Sequence, residues 1–187
     1  IWYKYNTMVN GVAYYTDEAC TTALVNNTIA LPSKTGFRFD GYFTKSNGQG
    51  NKYINNVGLV INDLYTKFAQ DVTLYAMWIA NTYTVTFDAN SGTVSPTSKT
   101  VTYGNEYGEL PTPSRTGYTF VGWFTDRTNG EEVLATTIVT TAENHTIYAH
   151  WNINSYTLTV NYYSSLASTP TTLSIAQGGS TVTGSPV

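Results

Sequence analysis

The stretch RTGYTFVGWFT, residues 115–125, places Tyr118, Phe120, Trp123 and Phe124 within seven positions. Crowded aromatics are either a ligand platform or the wall of a core. The chain offers its own comparison, because the stretch occurs twice. Residues 32–44 read PSKTGFRFDGYFT and residues 113–125 read PSRTGYTFVGWFT, an offset of 81 positions (113 − 32). A second anchor follows: TLYAMWIANTYTVTF at 73–87 returns as TIYAHWNINSYTLTV at 146–160, an offset of 73 (146 − 73). The first copy therefore holds eight extra residues (81 − 73), all between Asn47 and Asp71. Two anchors in the same order mark an internal duplication.

Strand alternation divides the first anchor into two faces. Phe37, Phe39, Gly41 and Phe43 match Tyr118, Phe120, Gly122 and Phe124 in size and apolar character. The other face pairs Arg38, Asp40, Tyr42 and Thr44 with Thr119, Val121, Trp123 and Thr125, and drifts in charge and shape. Mis-sized core residues cost about 1–3 kcal/mol. The conserved-size face is therefore expected in the core, and the Tyr42/Trp123 face exposed or half-exposed. Tyr42 and Trp123 become the candidate binding residues, since exposed Tyr and Trp stack on sugars and anchor protein interfaces. The competing reading lays Trp123 over a neighbouring strand or into a module joint. In the second anchor Leu74, Ala76 and Trp78 match Ile147, Ala149 and Trp151, while Met77 exchanges with His150. That exchange makes His150 an exposed strand residue rather than a ligand or base.

Turn signals punctuate these strands. Asn47-Gly48 and Asn129-Gly130 follow the two aromatic stretches and suit tight type I′ hairpins. Asn90-Ser91-Gly92 ends the strand TYTVTFD. Leu31-Pro32 and Leu110-Pro111-Thr112-Pro113 predict irregular approaches, because proline cannot donate to a ladder. Helix signal is thin: 62–71 could form two turns capped by Asn62 or Asp63, and the β-branched 134–144 at best one. Four residues, 79–82 and 152–155, join each tryptophan strand to the next, so neighbouring modules are expected nearly to touch.

Composition narrows the function classes. Charged residues are only 11 % of the 187, and aromatics 14 %, with 16 Tyr; a disordered chain is excluded and strands are favoured. The net charge of −3, with no Lys/Arg cluster, argues against nucleic acid or an anionic membrane as partner. No apolar run approaches bilayer-spanning length. The chain opens on Ile1 and reads as an excised piece. Cys20 is the sole cysteine, so no intrachain disulfide forms; it reads as a small buried residue.

Reactive constellations are missing from the pattern. His145 and His150 are not at ligand spacing with Cys or paired carboxylates, which argues against zinc. Asp88-Ala-Asn90-Ser-Gly92 begins like a calcium loop, but its twelfth position is Lys99 instead of Glu. Glu131 and Glu132 are adjacent and point to opposite faces, so they form no acid/base pair. A Lys–Asn isopeptide bond is disfavoured because Lys34 is matched by Arg115. No cofactor and no catalytic residue is expected. Asn26-Asn27-Thr28 and Asn144-His145-Thr146 fit the glycosylation sequon.

The run TYTVTFDANSGT, then GYTFVGW, then TIYAHW resembles the Listeria–Bacteroides repeat, of the B-repeat type of internalin B, over residues 82–152. Residues 1–79 resemble a divergent copy. SYTLTVNYYSS and TTLSIAQGGSTVTGSPV resemble the start of a mucin-binding-type repeat. These resemblances imply a mainly β (α+β) chain of tandem β-grasp-like modules joined by short linkers: 1–80, 81–153, and a partial third module, 154–187. They imply an extracellular, cell-surface location on a bacterium, neighbouring repeats as partners, and a spacer role with some contribution to adhesion. The alternative is an adhesin module that binds a glycan or host surface protein through exposed aromatics.

Overall fold

A computed structural model describes residues 2–6, 11–15, 18–19, 21–62, 72–160 and 171–176. The chain divides into two compact units, residues 1–82 and 83–187. In the first, β1 (Trp2–Asn6) and β2 (Gly11–Tyr15) pair antiparallel as a sheet of their own. A second sheet holds β3 (Phe37–Phe43), β4 (Lys52–Ile54) and β5 (Tyr75–Ala80) in the order β4-β3-β5. Its core includes Phe39, Phe43, Tyr53 and Ile54, and Tyr14 of β2 is buried with Tyr53 against Leu24, Val60 and Leu74.

The second unit contains β6 (Thr82–Asp88), β7 (Ser98–Thr102), β8 (Tyr118–Phe124), β9 (Glu132–Val133) and β10 (His145–Ile153). They form one sheet in the order β7-β6-β10-β8-β9. Strand β10 lies in its middle, parallel to β6 and antiparallel to β8. A parallel pair needs a long crossover, and residues 89–144, which include β7, β8 and β9, supply one. Val85 and Phe87 of β6, Val101 of β7, Ile147 and Ala149 of β10 and Trp123 of β8 share one buried cluster. Tyr107 and Val139, both buried, close over it from loops that an isolated bridge between Glu106 and Ile138 ties together. After β10, β11 (Ser155–Val160) and β12 (Thr171–Ala176) pair antiparallel as a separate two-stranded sheet.

The mainly β class holds. Among the described residues there is no α-helix, only a 3-10 turn at Val25–Asn27. Residues 63–71 of the expected two-turn helix, and Cys20, lie outside the described residues. The 134–144 segment makes a single turn, with Thr137 N–H donating to the Leu134 carbonyl. The second copy is thus covered by loops where a β-grasp would place a helix.

The turn chemistry is obeyed at two of three sites. Asn47 and Gly48 both take positive φ (56° and 70°), as do Asn90 and Ser91 (46° and 72°). Asn129 does not; only Gly130 does (φ 99°). There the Asp126 carboxylate accepts from the N–H groups of Thr128 and Asn129, an Asx-type turn that replaces the I′ geometry. The joints are shorter than expected, because the strands extend into them. One residue, Asn81, separates β5 from β6, and one, Asn154, separates β10 from β11. Their N–H groups donate to the carbonyls of Gly36 and Gly117 respectively, the same bond repeated in both copies.

Candidate functional site

The strongest departure from simple alternation lies in the aromatic strands themselves. In the β8–β10 ladder Trp151 faces Phe120 and His150 faces Gly122, so Val121 is an extra residue: a β-bulge. The first copy repeats it. Trp78 faces Phe39 and Met77 faces Gly41, with Asp40 left over. A bulge breaks the alternation of its strand: in the second copy it exchanges the faces of Trp123 and Phe124, while in the first Phe43 stays buried.

That shift decides the fate of the candidate tryptophan. Trp123 follows the bulge and so rejoins the face of Phe120. It is 3 % exposed, packed against Phe87 (ring centroids 5.1 Å apart) and Phe120 (5.7 Å). Its indole N–H donates to the Pro111 carbonyl at 2.9 Å. The expectation of an exposed or half-exposed Trp123 is therefore corrected: it is a core residue under the proline-rich approach strand. Tyr42, its counterpart, is half-buried and edge-on to Phe39 at 5.1 Å. Phe124 is corrected in the other direction. It leaves the core face and stacks flat on His150, with centroids 3.9 Å apart. His150 is half-buried, and its Nε2 meets the Asp126 carbonyl at 2.9 Å. The sequence did hold the missed signal, a glycine inside each aromatic strand, Gly41 and Gly122.

The bulge also builds a cleft. About 320 Å³ in volume, it is lined by Asn90, Arg115, Val121, Arg127, Thr128, His150, Trp151 and Asn152. Each wall is fixed by a bond within the second copy. Arg115 lies over the Tyr118 ring, 3.7 Å from its centroid, and donates to the Asn90 carbonyl. Arg127 pairs with the Asp88 carboxylate. The Asn90 side-chain amide donates to the carbonyls of Ala149 and Arg127, and the Trp151 indole to that of Ala89. Val121, the bulged residue, is 46 % exposed. Asp88, first residue of the calcium-like run, is occupied by Arg127 and by the Asn90 N–H. Among the described residues no group of three His, Cys, Asp or Glu could hold a metal ion. Nor is any helix there long and apolar enough to cross a membrane.

The paired bulges, glycines and tryptophans at matching offsets describe one module used twice, and comparison with known proteins agrees. The profile of the Listeria-Bacteroides repeat domain matches residues 3–77 and again 83–150. The chain belongs to the Listeria-Bacteroides repeat family. This repeat pair is 36 % identical over 133 residues to a putative Gly-rich membrane protein of Evansella cellulosilytica, covering 67 % of this chain and 15 % of that protein. It is 34 % identical over 125 residues to Internalin H of Listeria monocytogenes, covering 66 % of this chain and 20 % of that protein. A putative membrane protein of Evansella cellulosilytica shares 39 % over 89 residues, 47 % of this chain and 13 % of its own length. The chain thus spans a fifth or less of the length of these relatives, two of which are named as membrane proteins.

Proposed function

We propose that these repeats are non-catalytic spacer modules of a secreted bacterial surface protein, and that they hold other domains away from the cell. The observation that carries this reading is the duplicated module, in which the bulge, its glycine and the joint bond recur at the offsets of the repeat. Such repetition adds length without adding chemistry. The similarity to Internalin H and to two proteins named as membrane proteins supports the reading. The adhesin alternative relied on Tyr42 and Trp123, and the burial of Trp123 removes the larger ring from its account.

The test is replacement within the parent surface protein. Deleting residues 3–150 should impair the reach or activity of its other domains, and an unrelated folded spacer of equal length should restore it. Failure of the unrelated spacer, with rescue by the native repeats alone, would overturn the spacer reading in favour of adhesion.

A further inference from the structure

We propose that the cleft beside the bulge of the second copy binds an acidic monosaccharide, a hydroxyl-bearing ring with one carboxylate. This does not depend on the spacer role, since a stalk can carry a sugar site and an adhesin can lack one.

Size comes first. A cleft of about 320 Å³ sits at the small end of ligand sites and suits a single ring. Charge selects the acid. Arg115 and Arg127 both line the cleft, and a guanidinium matches a carboxylate through two parallel N–H donors. Asp88 is paired with Arg127, and Asp126 stands behind Thr128 and His150, so the attraction for an acid rests on Arg115. Attraction should therefore be real but weak, and sensitive to salt. Neutral hydrogen-bonding groups complete the wall. Asn90, Thr128 and Asn152 suit hydroxyls, while Val121 and the Trp151 ring give an apolar surface for a sugar's C–H face. The arginines and the asparagine are already tethered by the bonds described above, so little ordering cost remains on binding.

The first copy supplies an internal control. At the matching positions it carries Lys34 for Arg115, Asp40 for Val121, Met77 for His150 and Ile79 for Asn152. Asp40 sets a carboxylate on the bulge, paired with Lys52. An acid would meet a like charge there, and Ile79 offers no hydrogen bond where Asn152 does.

The experiment is an NMR titration of the whole 187-residue chain with D-glucuronate, and in parallel with D-glucose. Glucuronate should shift the Trp151 indole and the amides of Val121 and Asn152 with millimolar affinity, while resonances of residues 3–77 stay in place. Raising the salt about tenfold should weaken binding several-fold. Val121→Asp, which copies the first repeat's bulge, should weaken it about tenfold or more, because like charges placed together are costly. The proposal is overturned by the absence of shifts at tens of millimolar glucuronate, by glucose binding as well as glucuronate, or by Val121→Asp binding as the parent does.

Discussion

The indole of Trp123 and the carbonyl of Pro111 are joined by a hydrogen bond of 2.9 Å that pins the proline-rich segment to the core of the second repeat. A ring so placed holds the module together. Trp123→Phe keeps most of the apolar contact but leaves the Pro111 carbonyl without its donor, at a cost of about 1–3 kcal/mol. Trp123→Ala opens a cavity as well and should cost about 3–5 kcal/mol. Urea denaturation of the two variants measures both. Equal, negligible effects would show that the ring is not buried.

The two bulge glycines should respond differently to the same change. Gly41 sits at φ 146°, and a β-carbon there would overlap the Ile54 backbone carbonyl oxygen. Gly122 has no left-handed φ, and its β-carbon would first meet Glu132 Oε1 at 2.8 Å, the far end of a flexible side chain. Gly41→Ala combines strain and backbone overlap, so it should destabilise the first unit by about 2–4 kcal/mol. Gly122→Ala should cost about 1 kcal/mol or less in the second, once Glu132 swings aside. Thermal melts of the pair decide it, and a larger loss at Gly122 contradicts the geometry.

These glycines also show what the sequence disclosed and what it hid. Duplication, strand class and most turns were open to reading because they depend on local chemistry: Asn47, Gly48 and Asn90 take the positive φ that glycine and asparagine tolerate. The burial of Trp123 was not, because strict alternation was carried through Val121 and so put Trp123 outside. A bulge inserts one residue and breaks the alternation after it, as at Trp123 and Phe124, and only a ladder partner reveals where it falls. The Asn129 turn failed for a similar reason, since Asp126 captures two N–H groups before the Asn-Gly preference can act. The cleft lay beyond reach because Asn90, Arg115 and Trp151 come together only across the fold.

Tyr107 and His145 form a polar contact at the edge of the second core, 2.6 Å between the phenol oxygen and Nε2. Nδ1 of the same ring lies 2.9 Å from the Glu143 carbonyl, so Nδ1 donates there and Nε2 accepts from the phenol. Tyr107→Phe leaves Nε2 without its donor and should cost about 1–2 kcal/mol at neutral pH. Burial also raises the pKa of Tyr107 above the ordinary tyrosine value. Between the unfolded and folded values the native state holds a proton that the unfolded chain has lost, so stability falls as pH rises above about 10. Tyr107→Phe should lack that component of the alkaline loss. Parallel alkaline melts of parent and variant that fall with identical slope would refute the assignment.

At the other end of the pH scale the relevant carboxylate is Asp126. One of its oxygens accepts from the Thr128 N–H at 2.9 Å, the Thr128 hydroxyl at 3.1 Å and the Asn129 N–H at 3.2 Å. The Thr128 N–H and then the Asn129 N–H are the main reasons its pKa lies below the ordinary aspartate value, with the Thr128 hydroxyl and His150 adding to them. A depressed folded pKa means that the unfolded chain takes up its proton first. The stabilisation is fully present above the unfolded value near 4 and is lost as pH falls through the folded one. Asp126→Asn keeps an acceptor oxygen without a titrating charge, so the parent should lose its advantage over this variant as acid is added. NMR titration of the Thr128 and Asn129 amides should report the same midpoint, below that of a free aspartate. A midpoint at or above the free value would show that this loop is not held by the carboxylate.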